Sequence, residues 1–192
     1  MNTALACNDP VVVLEHVDLY TSTGPGMPDD LDHYLPVGKA ALRRAGSALT
    51  ILCYGVMTGF VLEAVAETGV DAEVVDLRWL DRASLDWDTI TASVQKTNNV
   101  LIVEQGARGT SYGAWLGDEI ARRLFDWLDA PIERVTGGEA SPSISKVLER
   151  ASFARVEEVS AALRAISRTS AGGTGGAGGP STGVARGTSG EA

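Results

Sequence analysis

Apolar residues in this chain fall into short continuous runs that alternate with longer segments of helical spacing. A continuous run rich in Val, Ile and Leu is typical of a strand that is buried on both faces of a sheet. We predict such strands at PVVVLE (Pro10–Glu15), ALTILCY, AEVVDL, VLIVE and PIERV, with GKAALRR as an edge strand.

Apolar residues three or four positions apart predict helices between these runs. The predicted helices are TGFVLEAVAET, LDWDTITASVQKT, the segment from about Tyr112 to Leu128, and RVEEVSAALRAI. Gly69 ends the first helix, and Asn98 and Asn99 end the second. Ser84 is a candidate N-cap of the second helix.

The third predicted helix is amphipathic, with an apolar stripe formed by Leu116, Ile120, Leu124 and Leu128. On its solvent-exposed side we predict two ion pairs at i,i+4 spacing, Asp118 with Arg122 and Glu119 with Arg123. Because strands and helices alternate throughout, we predict an α/β fold of three layers, a mostly parallel sheet with helices on both faces.

Composition and charge limit the remaining possibilities. From about Ser167, Gly, Ser, Thr and Ala replace the apolar pattern, so we predict that residues 167–192 are a disordered tail. A formal charge of −9 disfavours nucleic acid and anionic membranes as partners. No apolar run approaches the ~20 residues of a transmembrane helix, so we expect a cytoplasmic protein. Cys53, within an apolar run, is predicted to be a buried free thiol.

The stretch GTSYG has the G-x-S-x-G form of a serine hydrolase, with Ser111 in the position of the nucleophile. Four residues separate it from the preceding strand, so the sharp turn of those enzymes is missing. Both histidines, His16 and His33, precede Ser111, and the order serine, acid, histidine cannot be met. We therefore predict that Thr110 or Ser111 caps the following helix, and that Ser111 is not catalytic.

Other polar positions invite a ligand interpretation. The glycine loop before that helix could hold an anion with help from Arg108, although its spacing matches no phosphate motif. One loop clusters the metal-ligating types Asp29, Asp30, Asp32 and His33. No second ligand group completes a metal site, so we favour a solvated acidic loop.

Asp76 and Arg78 follow a predicted parallel strand, where α/β proteins place ligand and partner contacts. An ion pair that fixes the strand end is the alternative interpretation, and the sequence leaves both open. Most of the four tryptophans are predicted to lie in the core. Trp115, beside the glycine loop, is a candidate anchor for an interface.

Seven segments follow one another in a family-specific order: DPVVVLEH, DLDHYLPVGKA, LTILCYG, AEVVDLR, ASVQKTNNVLIVEQG, GAWLGDEI and FDWLDAPIERVTGGEASPSISKVLE. In this order they resemble the C-terminal part of the β subunit of thiamine-diphosphate-dependent 2-oxo acid dehydrogenases, a group related to the transketolase C-terminal domain. The resemblance covers nearly everything from residue 3 to about 150. One departure is DLRWLDRASLD, which is about two residues longer than the usual connection.

The resemblance implies what the assembled enzyme does. Such enzymes decarboxylate a 2-oxo acid on thiamine diphosphate with magnesium and pass the acyl group to a lipoyl acyltransferase. The implied partners are an α subunit, a second β subunit and the subunit-binding domain of the acyltransferase, which tends to be basic. The candidate interface residues are Arg78, Glu104, Arg108, Tyr112 and Trp115.

The resemblance also implies a division of the chain. Residues 1–20 would be a remnant of the preceding pyrimidine-binding domain, 21–36 a linker and 37–166 the transketolase C-terminal-like domain. On this resemblance, most of the pyrimidine-binding domain, with its cofactor-activating glutamate, would be absent from this chain. We therefore expect no catalytic residue, thiamine diphosphate or metal on this chain alone. Two alternatives are a stand-alone, non-catalytic module that binds the complex, and a split transketolase-like enzyme.

Overall fold

A five-stranded sheet with the strand order β1-β3-β2-β4-β5 forms the centre of the molecule. The structure is a computed structural model and describes residues 1–24, 30, 32–139 and 144–172. The strands are β1 (Ala41–Arg44), β2 (Leu49–Cys53), β3 (Ala72–Asp76), β4 (Val100–Ala107) and β5 (Glu133–Gly137). β1 runs antiparallel to β3 at one edge, and the other pairings are parallel. The predicted mostly parallel sheet and its edge strand are confirmed.

Helices cover both faces of this sheet, which confirms the three-layer prediction. Within the described residues the helices are α1 (Asn2–Ala6), α2 (Met57–Thr68), α3 (Trp87–Thr97), α4 (Tyr112–Leu124), α5 (Lys146–Ala151) and α6 (Val156–Gly172). α2 and α6 pack on one face, and α3 and α4 on the other. In the part of the chain that the structure describes, no helix is both long and apolar enough to cross a bilayer.

The two covered faces explain why the strands read as continuous apolar runs. Every residue of β2 is buried, because successive side chains point to opposite faces and both faces carry helices. Ile51 packs in the cluster under α2 and α6, and Leu52 packs in the cluster under α3 and α4. Each fully buried Leu or Ile side chain contributes about 1.5–3 kcal/mol of transfer free energy. Cys53 is a buried free thiol, as predicted, and burial raises its pKa to about 12.

The strand order places a topological switch point between β2 and β4. These neighbouring parallel strands are followed by helices on opposite faces, α2 after β2 and α4 after β4. Open α/β sheets bind ligands in the crevice outside the carboxyl ends of two such strands. The carboxyl ends of β2 and β4 are therefore the first place to look for a site.

Two helices end where the sequence predicts, but one begins differently. Gly69 is the C-cap of α2 and Asn98 that of α3, both with left-handed backbone (φ of +70° and +57°). The prediction that Ser84 caps α3 is wrong, since the N-cap is Asp86, whose carboxylate accepts the N–H of Thr89. Ser84 instead donates its N–H and hydroxyl to Asp81 (3.0 and 2.8 Å).

The predicted strand at Pro10–Glu15 does not form. This segment has no regular secondary structure, and the side chains of Val12 and Leu14 are 85% and 79% exposed. A strand pairs its N–H and C=O groups with a neighbouring strand, and within the described residues this segment is not part of the five-stranded sheet. The apolar run alone therefore gave the wrong secondary structure.

The ion pairs on α4 differ in part from the prediction. Glu119 pairs with Arg123 (2.8 Å) as expected, and it also pairs with Arg122 (2.8 Å), for which the helical spacing predicts Asp118 as the partner. α4 itself ends at Leu124, because a short 3₁₀ turn at Phe125–Trp127 follows it.

The tryptophans are less buried than predicted. Trp79, Trp87 and Trp115 are partly buried, and Trp127 is 45% exposed. The core is therefore made mainly of aliphatic side chains, and the indole rings lie around its rim.

The structure near both ends of the described chain can be compared with the predicted division into remnant, linker, domain and tail. Near the N-terminus, the Thr3 hydroxyl donates to the carbonyl of Leu35 (2.7 Å). α6 continues to Gly172, past the residue 166 at which the sequence suggested that the packed domain ends. Most of the predicted tail and Asp29 of the acidic loop lie outside the described residues. The division itself stays a prediction.

Candidate functional site

Glu104 is the centre of a buried polar network at the carboxyl end of β4. Its side chain is fully buried on the strand that the sequence predicts as VLIVE. A carboxylate that loses water must be paired and hydrogen-bonded, or it costs several kcal/mol. Tyr54, Ser111, Gly113 and Arg134 meet this need.

Arg134 supplies the opposite charge from the neighbouring strand. It lies opposite Ile102 in the β4–β5 ladder, so its side chain shares a face with Glu104, two residues further along. Its guanidinium donates to Glu104 Oε1 (2.6 Å) and to the hydroxyl of Ser111 (2.9 Å). The Arg134 side chain is only 13% exposed, so this is a largely buried ion pair.

The start of α4 completes the network. The hydroxyl of Ser111 donates to Glu104 Oε1 (2.6 Å), and the N–H of Gly113 donates to Glu104 Oε2 (2.7 Å). Ser111 stands at the N-cap position, as predicted, but its side chain makes no capping hydrogen bond. The carboxylate of Glu104 provides that cap and suits the positive end of the helix dipole. The Ser111 hydroxyl is therefore committed to Glu104 and Arg134.

Tyr54 closes the switch-point crevice. It follows β2, and its hydroxyl donates to Glu104 Oε2 (3.0 Å) on the adjacent strand. Its ring packs edge-on against Tyr112, which in turn contacts the ring of Trp115 (5.2 Å between centroids). Burial raises the pKa of Tyr54, and the nearby Glu104 carboxylate raises it further. The side chains of Tyr54 and Glu104 therefore fill the space at the carboxyl ends of β2 and β4.

Tyr112 has a hydroxyl with an unusual environment. That oxygen is buried, and it has no hydrogen-bond partner within the described residues. Burial raises the pKa of Tyr112 to about 12, so the phenol stays protonated at neutral pH.

Of the five candidate interface residues, three lie together and two are separate. Glu104, Tyr112 and Trp115 are connected through Tyr54 and the aromatic contacts described above. Arg108 is exposed on the loop before α4, where its guanidinium donates weakly to the carbonyl of Arg134 (3.4 Å). Arg78 lies at the end of β3, outside this network.

For Asp76 and Arg78, the structure shows the ion pair that was one of the two interpretations left open by the sequence, and the ligand or partner contact stays a prediction. Asp76 forms an ion pair with Arg43 of the edge strand (2.6 Å) and also accepts the N–H of Arg78 (3.2 Å). The carboxylate thus fixes the strand end. The side chain of Arg78 is exposed, and its backbone is left-handed with φ of +58°. Such a conformation is unfavourable for a residue with a Cβ and requires support from its surroundings.

The residues at the switch point do not fit a diphosphate group. The anion position at the N-terminus of α4 is taken by the Glu104 carboxylate, which accepts the N–H of Gly113. The N–H groups of Ser111 and Ala114 bond to backbone carbonyls. A second anion would meet like charge there, so we assign no cofactor chemistry to this loop.

Glu104 is among the residues predicted from the sequence, whereas Tyr54 and Arg134 are not. A signal for Arg134 was present, since an arginine inside a predicted strand of a buried sheet must find an anion. Tyr54 gave no comparable signal, because an aromatic residue after an apolar run is typical of any strand end.

Comparison with protein families identifies a match over most of the chain. Residues 38–159 match the family described as "Transketolase, C-terminal domain". The chain is 37% identical over 164 residues to the Arabidopsis thaliana "Pyruvate dehydrogenase E1 component subunit beta-1, mitochondrial". It is 40% identical over 151 residues to the Pseudomonas aeruginosa "2-oxoisovalerate dehydrogenase subunit beta".

The alignments cover most of this chain but a smaller part of each relative. They take in 83% and 69% of this chain, against 45% and 43% of the two relatives. The chain thus spans less than half the length of the curated relatives it matches.

A solved structure has the same fold. It is described as "Split gene transketolase, inactive beta4 tetramer", with a TM-score of 0.56, 22% sequence identity and coverage of 75% of this chain and 46% of that one.

Proposed function

The chain belongs to the transketolase C-terminal domain family, and we propose that it serves as the C-terminal domain of the β subunit of a 2-oxo acid dehydrogenase. The observation that carries this proposal is the identity of 36–40% to pyruvate and 2-oxoisovalerate dehydrogenase β subunits over 140–175 residues. The assembled enzyme would decarboxylate a 2-oxo acid and pass the acyl group to a lipoyl acyltransferase in the cytoplasm.

Within that enzyme we assign to this domain a role in assembly. The network of Tyr54, Glu104 and Arg134 fills the crevice where related folds bind ligands. The same network holds the loop that presents Arg108 to solvent. We propose that Arg78 and Arg108 contact a neighbouring subunit, and that Glu104 acts by positioning the loop.

The proposed partners are the α subunit, a second β subunit and the subunit-binding domain of the acyltransferase. The formal charge of −9 suits docking of a basic domain, because complementary charge raises the association rate and selects the partner. Thiamine diphosphate and magnesium would belong to the assembled enzyme, where groups outside this chain complete their site.

Assembly can be tested by co-expression with the α subunit and the acyltransferase encoded in the same genome. We expect the tagged full-length chain to retain both partners on an affinity column. Arg108→Glu should reduce retention of at least one partner. Arg164→Glu on α6 is the matched control, with the same change of charge at another exposed position, on a different element.

If neither partner is retained, the assembly role is wrong. Equal loss in the two variants would show that net charge, and not the Arg108 loop, governs retention.

The cofactor assignment has its own test. Calorimetric titration of thiamine diphosphate into the chain with magnesium present should give no binding heat. Stoichiometric micromolar binding would refute the assignment and would favour a chain that is catalytic by itself.

An immunoblot of source-cell extract, with an antibody against the Gly-rich segment, measures the size of the native polypeptide. That size distinguishes a domain of a longer β subunit from a stand-alone module. A band of roughly twice 20.1 kDa would match a longer β subunit. A band at 20.1 kDa would instead support the non-catalytic module that binds the complex.

A further inference from the structure

The segment Pro10–Glu15 has the sequence of a buried strand but lies outside the sheet. Within the described residues it belongs to no strand, and the side chains of Val12, Val13 and Leu14 are exposed. Valine favours extended backbone, and successive side chains of an extended segment point to opposite sides. Apolar side chains would therefore line both faces of a strand formed by this segment. Such a segment is covered when it adds to the open edge of a sheet.

The two edges of the sheet differ in how well they resist the addition of a strand. The edge strand β1 carries Arg43 and Arg44, and its pairing with β3 shifts register between Leu42 and Arg44. Charged side chains and irregular pairing are common means of protecting an edge. At the other edge, Glu133–Val135 of β5 pair with β4 without a shift. The edge formed by β5 is therefore the better acceptor.

The first four residues of β5 have backbone groups available for such pairing. In the described part of the chain, Glu133–Thr136 make no backbone–backbone hydrogen bond outside the β4–β5 ladder. The carbonyl of Arg134 accepts only a long hydrogen bond from the Arg108 side chain (3.4 Å). Beyond the strand, the N–H of Gly138 donates to the carbonyl of Ser152 (2.7 Å), so its carboxyl end is covered. The accessible part of this edge is as long as the run VVVL.

An apolar groove lies on each face of the sheet beside the start of β5. The groove on the α6 face includes Leu101, Ala165 and Ile166. The groove on the α4 face includes Ala121, Phe125 and Ile132. Pro131 and Arg134 line both grooves, so the grooves meet at the β5 edge. A strand laid along β5 would direct successive side chains into the two grooves in turn.

The charges around the grooves favour an uncharged occupant. Asp118 and Asp129 border the groove on the α4 face, and Glu133 borders the other. The one arginine of the two linings, Arg134, is already paired with Glu104. An acidic segment would be repelled there, and any buried charge would lose its hydration. The run VVVL avoids both costs.

The segment and the β5 edge belong to opposite sides of one molecule. The helix α1, which precedes the segment, is tied by Thr3 to the carbonyl of Leu35, on the chain that leads into β1. β1 and β5 are the two ends of the strand order, and four spacings of about 4.8 Å separate them by roughly 19 Å. A chain with an unpaired strand sequence on one side and an open edge on the other is complementary to a second copy of itself.

We propose that Pro10–Glu15 of one copy adds to the outer side of β5 in a second copy, and that the exchange is reciprocal. Each copy then gives one strand and accepts one, which closes a two-fold dimer and stops the contact from propagating into a filament. The inference specifies a contact for the second β subunit named among the proposed partners, and to that extent it rests on the proposed function.

Sedimentation equilibrium of the full-length chain tests the donated strand. We expect a reversible dimer. Val12→Asp should raise its dissociation constant by about tenfold or more, because a carboxylate would enter an apolar groove bordered by acids. The matched control is Val17→Asp, the same change at an exposed position outside the segment, which should alter the constant by less than about twofold. Both side chains are exposed in the single molecule, so circular dichroism should show both variants folded.

A variant of the groove tests the accepting edge. The ring of Phe125 lines the groove on the α4 face and is exposed in the single molecule. Phe125→Asp should therefore also weaken the dimer by about tenfold or more without unfolding the chain. Mixing Val12→Asp with Phe125→Asp should give a dimer tighter than either variant forms alone. In the mixed dimer one unaltered segment meets one unaltered edge.

Several outcomes would overturn the proposal. These are a chain that stays monomeric at every soluble concentration, a dimer indifferent to Val12→Asp, and equal weakening by Val17→Asp. A dimer weakened by Val12→Asp but not by Phe125→Asp, with no rescue on mixing, would show that the segments of two copies pair with each other. The proposed function is measured by retention of the α subunit and the acyltransferase, so its failure is distinguishable from a failure of self-association.

Discussion

Glu104 shows how one charged residue can organise a loop that apolar packing leaves without support. A buried carboxylate offsets its lost hydration only if nearly all of its lone pairs are used. Here four donors from three different parts of the chain converge on it. The result joins β2, β4, β5 and the start of α4 at one point.

Removing the charge of Glu104 should therefore be costly. In Glu104→Gln the shape is kept, but the Arg134 guanidinium is left largely buried without a counter-ion. We expect a loss of about 3–5 kcal/mol in the free energy of unfolding, as for other broken buried pairs. Urea denaturation followed by circular dichroism measures it.

The matched control is Glu119→Gln, which removes an exposed ion pair on α4. It should cost much less than Glu104→Gln, since exposed pairs contribute little. Similar losses in the two variants would mean that the Glu104–Arg134 pair is not a stabilising centre.

At the scale of elements, α4 combines a tight N-terminal turn with an ordinary helix interior. A Cβ added at Gly113 would lie 2.3 Å from Glu104 Oε1, closer than any real contact allows. A Cβ added at Gly117 would lie 3.6 Å from Ile102 Cδ1, an ordinary van der Waals distance. Position 113 therefore requires glycine to avoid a clash, whereas position 117, one helical turn later, has room for a side chain.

The two glycines of α4 should respond to alanine in opposite directions. Gly117→Ala should stabilise the protein by up to about 1 kcal/mol, because alanine is the better helix former. Gly113→Ala should destabilise it by about 1–3 kcal/mol, because the methyl group forces the Glu104 carboxylate away. Thermal unfolding of both variants provides the comparison, and two changes of the same sign would contradict the geometry at Gly113.

The ion pairs of Glu119 on α4 predict a pH effect. Hydrogen bonds from Arg122 and Arg123 lower its pKa from 4.5 to about 2. A carboxyl group with a depressed folded-state pKa adds stability above its unfolded pKa. That contribution is lost as the pH falls from about 4.5 through 2. Carbon-detected NMR titration should show the low pKa, and replacing both arginines with glutamine should return it toward 4.5.

At the scale of the whole molecule, α6 has to reach back across the chain to cover one face of the sheet. Val159 and Leu163 are fully buried against α2 and the strands. The first of the packed strands is more than a hundred residues earlier in the sequence. The fold is therefore completed only when the last helix docks.

Removing α6 should affect the stability of the protein much more than removing the residues C-terminal to it. A chain ending after Arg155 should fail to unfold cooperatively, because it exposes the apolar face that α6 covers. A chain ending after Gly172 should keep its stability within about 0.5 kcal/mol, as expected for removal of a segment without an apolar pattern. Differential scanning calorimetry of both would decide, and a large loss in the second would refute the predicted disordered tail.

Some features of this protein follow from the sequence by itself. The strands β1 to β5, the helices α2, α3, α4 and α6, the mostly parallel sheet and the helix ends at Gly69 and Asn98 were predicted correctly. These features depend on local signals, apolar periodicity and backbone preference, that a short window of sequence contains. Membership of the family also follows from segments in a fixed order.

Other features were decided only by the tertiary structure. The apolar run Pro10–Glu15 does not join the sheet within the described residues, and Asp86 instead of Ser84 caps α3. The pairing of Glu104 with Arg134 and the stacking of Arg82 on Trp115 join residues about thirty positions apart. Each depends on which groups the folded sheet and its helices bring within contact distance, and burial then makes those pairings obligatory.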